Sequence, residues 1–204
     1  PCRFVAAGRD RLIFGGLPDP YLVQLTQLAF PAEPMEGASP NAFAFQARLP
    51  EPCTGVACPG DSYIAFTGSA IYEIPGEGPK RNGTGEFFTP RAIYSDGGCI
   101  DWRSIVETSF GTLFQLDTDK IFMMSPGGEV KWVGQPVRDT LVTYPVIVGS
   151  VLCTSTQRVV FACVNAEPAS DGVLLIYDLR RGVWSVDRVG ATRAVTEYLG
   201  RLAY

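Results

Sequence analysis

The chain has 204 residues, of which 46% are hydrophobic, and 17 basic and 21 acidic side chains give it a formal net charge of −4. This length and apolar content permit a sizeable core in one large or two small domains, so they exclude a disordered chain. The excess of acidic residues argues against a surface that binds nucleic acid tightly, because tight binding needs clustered Lys and Arg. It does not exclude nucleic acid sliding past a non-adhesive wall, but ordinary solubility is the simpler interpretation.

The first predicted unit covers 9–30 and reads as short strands around a turn. Across the chain, 22 Gly and 16 Pro separate short apolar runs, which favours strands joined by turns over long helices. A Pro-rich stretch without a steady period follows at 31–59. We expect this stretch to be a surface excursion with one extended segment at 42–49.

The second predicted unit, 60–76, recurs later in the chain. Tyr63 to Ile74 aligns without a gap with Leu113 to Met124, which lies 50 residues further on. Each copy is an apolar run, a tight polar turn, a second apolar run and a Pro/Gly break. Self-similarity at about 20–50 residues is the signature of repeat architectures, and this spacing favours β-propeller blades. A second polar excursion is predicted at 77–92.

The third unit, 103–134, contains four consecutive predicted strands, which is the content of one propeller blade. The fourth unit covers 146–189, and the residues after it begin a further unit. These patterns predict an all-β fold of four-stranded antiparallel propeller blades within one domain, 1–204. Four units do not close a ring comfortably, so we expect a partial propeller belonging to a larger chain or closed by a neighbour. A β-sandwich is the alternative, since it also has regular short strands.

The residue types argue against common forms of catalysis. The chain has no histidine, the usual base for a Ser or Cys nucleophile. Asp117 and Asp119 would share a face on a strand, as paired carboxylates of a glycosidase might. Their position in a predicted hairpin turn favours turn formation instead. We therefore predict no catalytic, cofactor-binding or metal-binding residues.

A glycan-binding module or a glycoside-active propeller enzyme is the alternative function. It would need carboxylates and exposed aromatic rings that converge on one mouth of the channel. The first candidates are Asp96, Asp101, Tyr94 and Trp102. The two acidic candidates, together with Glu107, flank a predicted strand. Their simpler interpretation is as charges at the rim of the fold.

Six cysteines are present, and only Cys53 and Cys58 lie close in sequence. This spacing allows a loop disulfide and leaves open that both are free thiols. Without histidine or a second short cysteine pair, a zinc site is not expected. Cys153 and Cys163 fall in strand-like runs, where cysteine acts as a small apolar residue. No run approaches the ~20 apolar residues of a membrane helix, so we expect no membrane insertion.

Two further groups of residues have simple structural interpretations. Trp102, Trp132 and Trp184 lie late in or between predicted strands, where inter-blade packing is favoured over a sugar platform. The adjacent Arg180 and Arg181 are interpreted as a solvated hairpin tip, with a phosphate contact as the lesser alternative.

An ordered series of segments resembles the tail nozzle proteins of short-tailed bacteriophages, also called tail tubular protein B. The series begins with Arg9-Asp10-Arg11-Leu12-Ile13-Phe14-Gly15-Gly16 and continues through Gly97-Gly98-Cys99-Ile100-Asp101 and Gly111-Thr112-Leu113-Phe114. It ends with Tyr177-Asp178-Leu179-Arg180-Arg181-Gly182-Val183-Trp184. The resemblance covers most of residues 9–189 and depends on the order of the segments rather than on any one motif.

The resemblance implies a structural virion protein of the tail, made in the host cytoplasm. Such a protein is a β-propeller that assembles as a homo-oligomeric ring, commonly a hexamer, below the portal and adaptor. Its lumen conducts the DNA genome during ejection and can carry a gate. Its outside anchors fibre or spike proteins. Under this reading the predicted excursions are the expected subunit contacts.

Overall fold

The computed structural model describes residues 2–8, 11–26, 43–60, 62–78, 85–166, 171–189, 196–198 and 201–203. In these residues the fold is all-β, as predicted, with four four-stranded antiparallel sheets and one two-stranded sheet. The chain divides into two compact units, Pro1–Cys99 and Ile100–Tyr204.

The first unit contains two sheets whose strands follow one another in chain order. Sheet 1 comprises β1 (Phe4–Gly8), β2 (Arg11–Gly15), β3 (Leu22–Thr26) and β4 (Phe43–Arg48). Sheet 2 comprises β5 (Gly55–Ala57), β6 (Tyr63–Phe66), β7 (Ile71–Ile74) and β8 (Arg91–Tyr94).

The second unit repeats this pattern and adds short helices. Sheet 3 comprises β9 (Val106–Thr108), β10 (Gly111–Asp117), β11 (Lys120–Met124) and β12 (Val130–Trp132). Sheet 4 comprises β13 (Val146–Cys153), β14 (Arg158–Val164), β15 (Gly172–Asp178) and β16 (Val183–Arg188). The two-stranded sheet comprises β17 (Thr196–Tyr198) and β18 (Arg201–Ala203). The helices are α1 (Arg138–Thr143) and two 3-10 turns, Trp102–Ser104 and Gln135–Val137.

In each unit, one cluster of buried apolar side chains joins two sheets. In the first unit Ile13, Val23 and Leu25 of sheet 1 join the same cluster as Tyr63 and Ile74 of sheet 2. The cluster of the second unit joins sheets 3 and 4 in the same way; among its members are Leu113, Ile121, Val159, Phe161 and Leu175. The first strands of successive sheets are also neighbours, β1 with β5, and β13 with both β9 and β17. This stacking of four-stranded meanders is consistent with a partial β-propeller. None of the described sheets has the crossover of a Greek-key sandwich.

The sequence repeat corresponds to the second and third strands of sheets 2 and 3. In the first copy the Thr67 N–H donates to the Ala70 carbonyl at 3.0 Å, and in the second copy Asp117 pairs with Lys120. Between Gln115 and Asp117 a bulge then shifts the register of β10 against β11, whereas β6 and β7 pair without a shift. Two ungapped copies of one sequence pattern therefore differ by a single bulged residue.

The predicted units agree with the sheets in the second half of the chain and differ in the first half. All four strands of sheet 3 lie within 103–134, and those of sheet 4 within 146–189. The predicted excursions contain strands as well: β4 matches the extended segment expected at 42–49, β5 also lies in 31–59, and β8 begins in 77–92. These strands are short or follow Pro-rich stretches, which weakens their periodicity. Residues 27–42 and 79–84 lie outside the described residues.

Gly98 occupies a place in the first unit where only glycine fits. The Cys99 N–H donates to the Thr67 carbonyl at 2.9 Å, which brings the backbone at Gly98 against the β6–β7 turn. A Cβ at Gly98 would overlap the carbonyl oxygens of Thr67 and Ala70, and backbone atoms cannot move aside as a flexible side chain can. In the same turn, a Cβ at Gly68 would meet nothing within 4 Å.

We expect Gly98→Ala to lower the free energy of unfolding by about 3 kcal/mol, because overpacking against backbone forces local rearrangement. Gly68→Ala is the matched control and should change stability by less than about 0.5 kcal/mol. Urea denaturation followed by far-UV circular dichroism measures both. Equal stabilities for the two variants would contradict this packing.

Candidate functional site

Two of the glycan candidates, Asp101 and Trp102, meet in one cluster at the start of the second unit. Asp101 caps the first 3-10 turn: its Oδ1 accepts a hydrogen bond from the Arg103 N–H at 2.9 Å. Its Oδ2 forms an ion pair with Arg103 Nη1, also at 2.9 Å. The Arg103 guanidinium lies 5.2 Å from the centroid of the Trp102 ring, which is 41% exposed. The result is a stack of carboxylate, guanidinium and indole at the surface.

Buried hydrogen bonds fix this cluster to the sheets of its unit. The hydroxyl of Ser104 donates to the Asp101 carbonyl at 2.6 Å and accepts from the Gln115 N–H at 2.9 Å. Gln115 is 1% exposed, and its Nε2 donates to the carbonyls of Thr118 and Pro145 at 3.1 and 3.0 Å. Gln115 thereby ties the β10–β11 turn to the residue before β13.

The geometry of the cluster suits a flat or polyhydroxylated group. An exposed indole face and an oriented guanidinium suit stacking and hydrogen bonding. The Asp101 carboxylate is paired with the Arg103 guanidinium. Arg103 was not among the predicted candidates, although the sequence Asp-Trp-Arg places opposite charges two residues apart.

The remaining candidates are placed separately. Tyr94 ends β8 in the first unit, where it pairs with Ile71 and is half-buried. Asp96 is exposed in the segment that follows. Glu107 lies on β9 in the second unit, opposite Thr112.

Asp117 and Asp119 each have their own partners in and beside the β10–β11 turn. Asp117 accepts from the Thr118 N–H at 2.7 Å and pairs with Lys120 Nζ at 3.3 Å. Asp119 pairs with Arg138 Nε at 2.7 Å. The interpretation of these residues as turn formers is confirmed.

Among the described carboxyl groups, those with a displaced pKa are displaced downward. Hydrogen bonds from backbone N–H groups are the main cause for Asp19, Asp117 and Asp178, while the Ser69 hydroxyl is the main cause for Glu51. A glycosidase acid needs a pKa raised by burial or by a neighbouring carboxylate. These four groups are therefore poor proton donors near neutral pH.

The tryptophans have three different environments. Trp184 of sheet 4 donates from Nε1 to the carbonyl of Val133, which follows sheet 3, at 2.8 Å. It also packs 4.7 Å from the Tyr177 ring, centroid to centroid. Inter-blade packing is thus confirmed for Trp184. Trp132 stacks at 6.4 Å on Phe122 of its own sheet, and Trp102 is the exposed member of the Asp101 cluster.

The loop disulfide between Cys53 and Cys58 is not formed. Cys53 is a buried free thiol whose Sγ lies 3.3 Å from the Gly55 carbonyl oxygen. Burial raises the pKa of Cys53 to about 12, and burial likewise raises that of Cys163 in β14 to about 12. Such thiols act as packing groups rather than nucleophiles.

Within the described ranges, no group of three or more His, Cys, Asp or Glu side chains is arranged to hold a metal ion. Over the same ranges, none of the helices has the length and apolar character needed to cross a membrane.

Alkylation distinguishes the buried thiols from Cys2, which is exposed. At pH 8 a thiol with a pKa of about 12 is ionised in only about one molecule in ten thousand. We expect iodoacetamide to modify Cys2 in the folded protein and to leave Cys53 and Cys163 unmodified, as measured by peptide mass spectrometry. All three should react in guanidinium chloride. Labelling of Cys53 at the rate of Cys2 would contradict its burial.

Comparison with known proteins gives distant structural similarity but no sequence match. No family model and no curated protein sequence matches the chain. Among solved structures, the chain is similar to PorZ, described as a bacterial surface component of the type-IX secretion system of Porphyromonas gingivalis. The sequence identity is 13% and the TM-score 0.42, over 90% of this chain and 27% of that chain. The chain thus spans about a quarter of the length of that neighbour.

Proposed function

We propose that this chain is a structural component of the tail nozzle of a short-tailed bacteriophage. In this role it forms a homo-oligomeric ring in the virion, a hexamer as in similar proteins. The ring conducts DNA during ejection and anchors adaptor and fibre or spike proteins. The ordered resemblance across residues 9–189 is the reason for naming this class.

The observation that carries the structural role over the enzymatic one is the use of the carboxylates. Ion pairs with a nearby Arg or Lys side chain are formed by Asp101, Asp117 and Asp119. Asp19 pairs with Arg48 at 2.8 Å and Glu73 with Arg91 at 2.6 Å. Carboxylates arranged in this way stabilise turns and strand edges, whereas a glycosidase sets two of them on either side of a bond to be cleaved.

Phe88, in the predicted excursion 77–92, supports a contact between copies of the chain. Its ring is 54% exposed, although its N–H donates to the Pro75 carbonyl at 2.9 Å and fixes the backbone. The adjacent Phe87 is buried, 5.2 Å from the Phe45 ring and 5.7 Å from the Tyr63 ring between centroids. A rigidly held, exposed aromatic ring is the kind of residue that dominates protein interfaces.

Native mass spectrometry tests the assembly. We expect the wild-type chain to form a ring and Phe88→Asp to shift it to monomers, because a charge would be buried at the contact. Phe110→Asp is the matched control: Phe110 is 45% exposed in the β9–β10 turn, outside the excursion. It should leave the ring intact. A wild-type chain that stays monomeric and never co-purifies with virus particles would contradict the proposal.

Glycan binding is tested separately with Asp101→Ala and Trp102→Ala on a glycan array. Under the structural proposal the wild type neither binds nor cleaves glycans, so the two variants behave as it does. Specific binding that both variants lose would favour the glycan-binding alternative instead.

A further inference from the structure

Two hairpin tips lie side by side at one end of sheet 4. Residues 154–157 join β13 to β14, and residues 179–182 join β15 to β16. The Leu179 N–H donates to the Gln157 carbonyl at 3.1 Å, which connects the tips directly. We call residues 154–158 and 178–182 the paired tips.

Asp178 builds the second tip and uses its charge in doing so. Its Oδ1 accepts hydrogen bonds from the N–H groups of Arg180 and Arg181 at 3.1 and 3.0 Å. Its Oδ2 lies 3.5 Å from Arg158 Nε, and its carbonyl accepts from the Gly182 N–H at 2.8 Å. The bond from the Arg181 N–H is the largest cause of a lowered pKa for this carboxyl group. The exposed side chains of Arg180 and Arg181 therefore extend from a turn that is held rigidly.

The first tip is held in a strained conformation. Gln157 has a φ of 54°, and it is the one non-glycine residue with positive φ in the described part of the chain. That conformation costs on the order of 1 kcal/mol and persists only where the surroundings impose it. Here the side-chain Nε2 donates to the Thr154 carbonyl at 2.8 Å, and the Gln157 carbonyl accepts from the other tip.

The composition of the paired tips is cationic on an acidic chain. Arg158, Arg180 and Arg181 face one carboxylate, that of Asp178, which leaves two net positive charges, whereas the whole chain has a net charge of −4. Exposed Thr154, Ser155 and Thr156 add hydroxyl groups to the first tip. Guanidinium and hydroxyl groups are the side-chain donors that most often contact nucleic-acid phosphates.

We propose that the paired tips bind the phosphate backbone of nucleic acid, with Arg180 and Arg181 pairing with phosphate oxygens. The proposal rests on the proposed function for the source of the polyanion, which is the genome that passes the ring. A contact limited to two arginines has low affinity for DNA. The DNA can therefore bind there transiently and still move through the ring. The paired tips are thus a local DNA-binding site on a chain whose net negative charge repels DNA.

Fluorescence anisotropy of a labelled DNA duplex of about 20 base pairs, measured over a range of salt concentrations, tests this contact. Each phosphate contact adds about 0.9 to the slope of log affinity against log salt. We expect Arg180→Gln/Arg181→Gln to lower that slope by about 1.8 and to weaken binding roughly tenfold near 50 mM salt. Both side chains are exposed, so the thermal unfolding of the variant should match the wild type.

Lys131→Gln/Arg188→Gln is the matched control, because it removes the same charge from exposed positions elsewhere in the second unit. It should change the affinity less than twofold. An equal loss in the control would show a general charge effect and overturn the proposal. So would equally effective competition by polyglutamate, which would indicate an acidic protein partner. Native mass spectrometry of the Arg180/Arg181 variant should still show the wild-type assembly. Loss of DNA binding can then be distinguished from loss of ring formation.

Discussion

The structure depends on one constraint, which is that a four-stranded sheet cannot bury its own faces. The middle strands β6, β10 and β14 are buried along almost their whole length, so both faces of these strands are covered. Each fully buried Leu, Ile or Phe side chain adds roughly 1.5–3 kcal/mol to the free energy of unfolding. An isolated meander in water would lack this stabilisation, because one of its faces would stay exposed. Stacking sheets around a shared core is how repeat folds meet this constraint.

Stacking also determines where charge and chemistry can be found. Apolar side chains fill most of the interior of each unit, although Arg11 of β2 is buried, and several carboxylates lie at turns. There Asp101, Asp117 and Asp178 accept backbone N–H bonds and pair with nearby cations, and for Asp117 and Asp178 the pKa falls. This placement favours a protein that acts through surfaces, such as the Phe88 excursion and the paired tips, over one that acts through a pocket.

Sequence patterns were sufficient for the fold where strands were long and apolar. Sheets 3 and 4 fall within their predicted units because β10, β14 and β15 are continuous buried runs, and β10 and β15 each begin with Gly and end with Asp. In sheets 1 and 2, β4 coincides with the extended segment expected at 42–49, whereas β5 and the start of β8 lie in predicted excursions among prolines and glycines. The candidate cluster was found only in part: Asp101 and Trp102 were singled out, while Arg103 was not, although it neutralises the acid.

By itself, the sequence determined the all-β class, the 50-residue repeat and the absence of a histidine base, since these depend on residue type and local period alone. The tertiary structure decided which distant groups meet: Trp184 with Val133, Gln115 with Pro145, and Leu179 with Gln157. These partners are 51, 30 and 22 residues apart, and local propensity carries no information about them. Packing of one sheet on the next, and of one hairpin beside another, brings them together, and the same packing assigns each charge its partner.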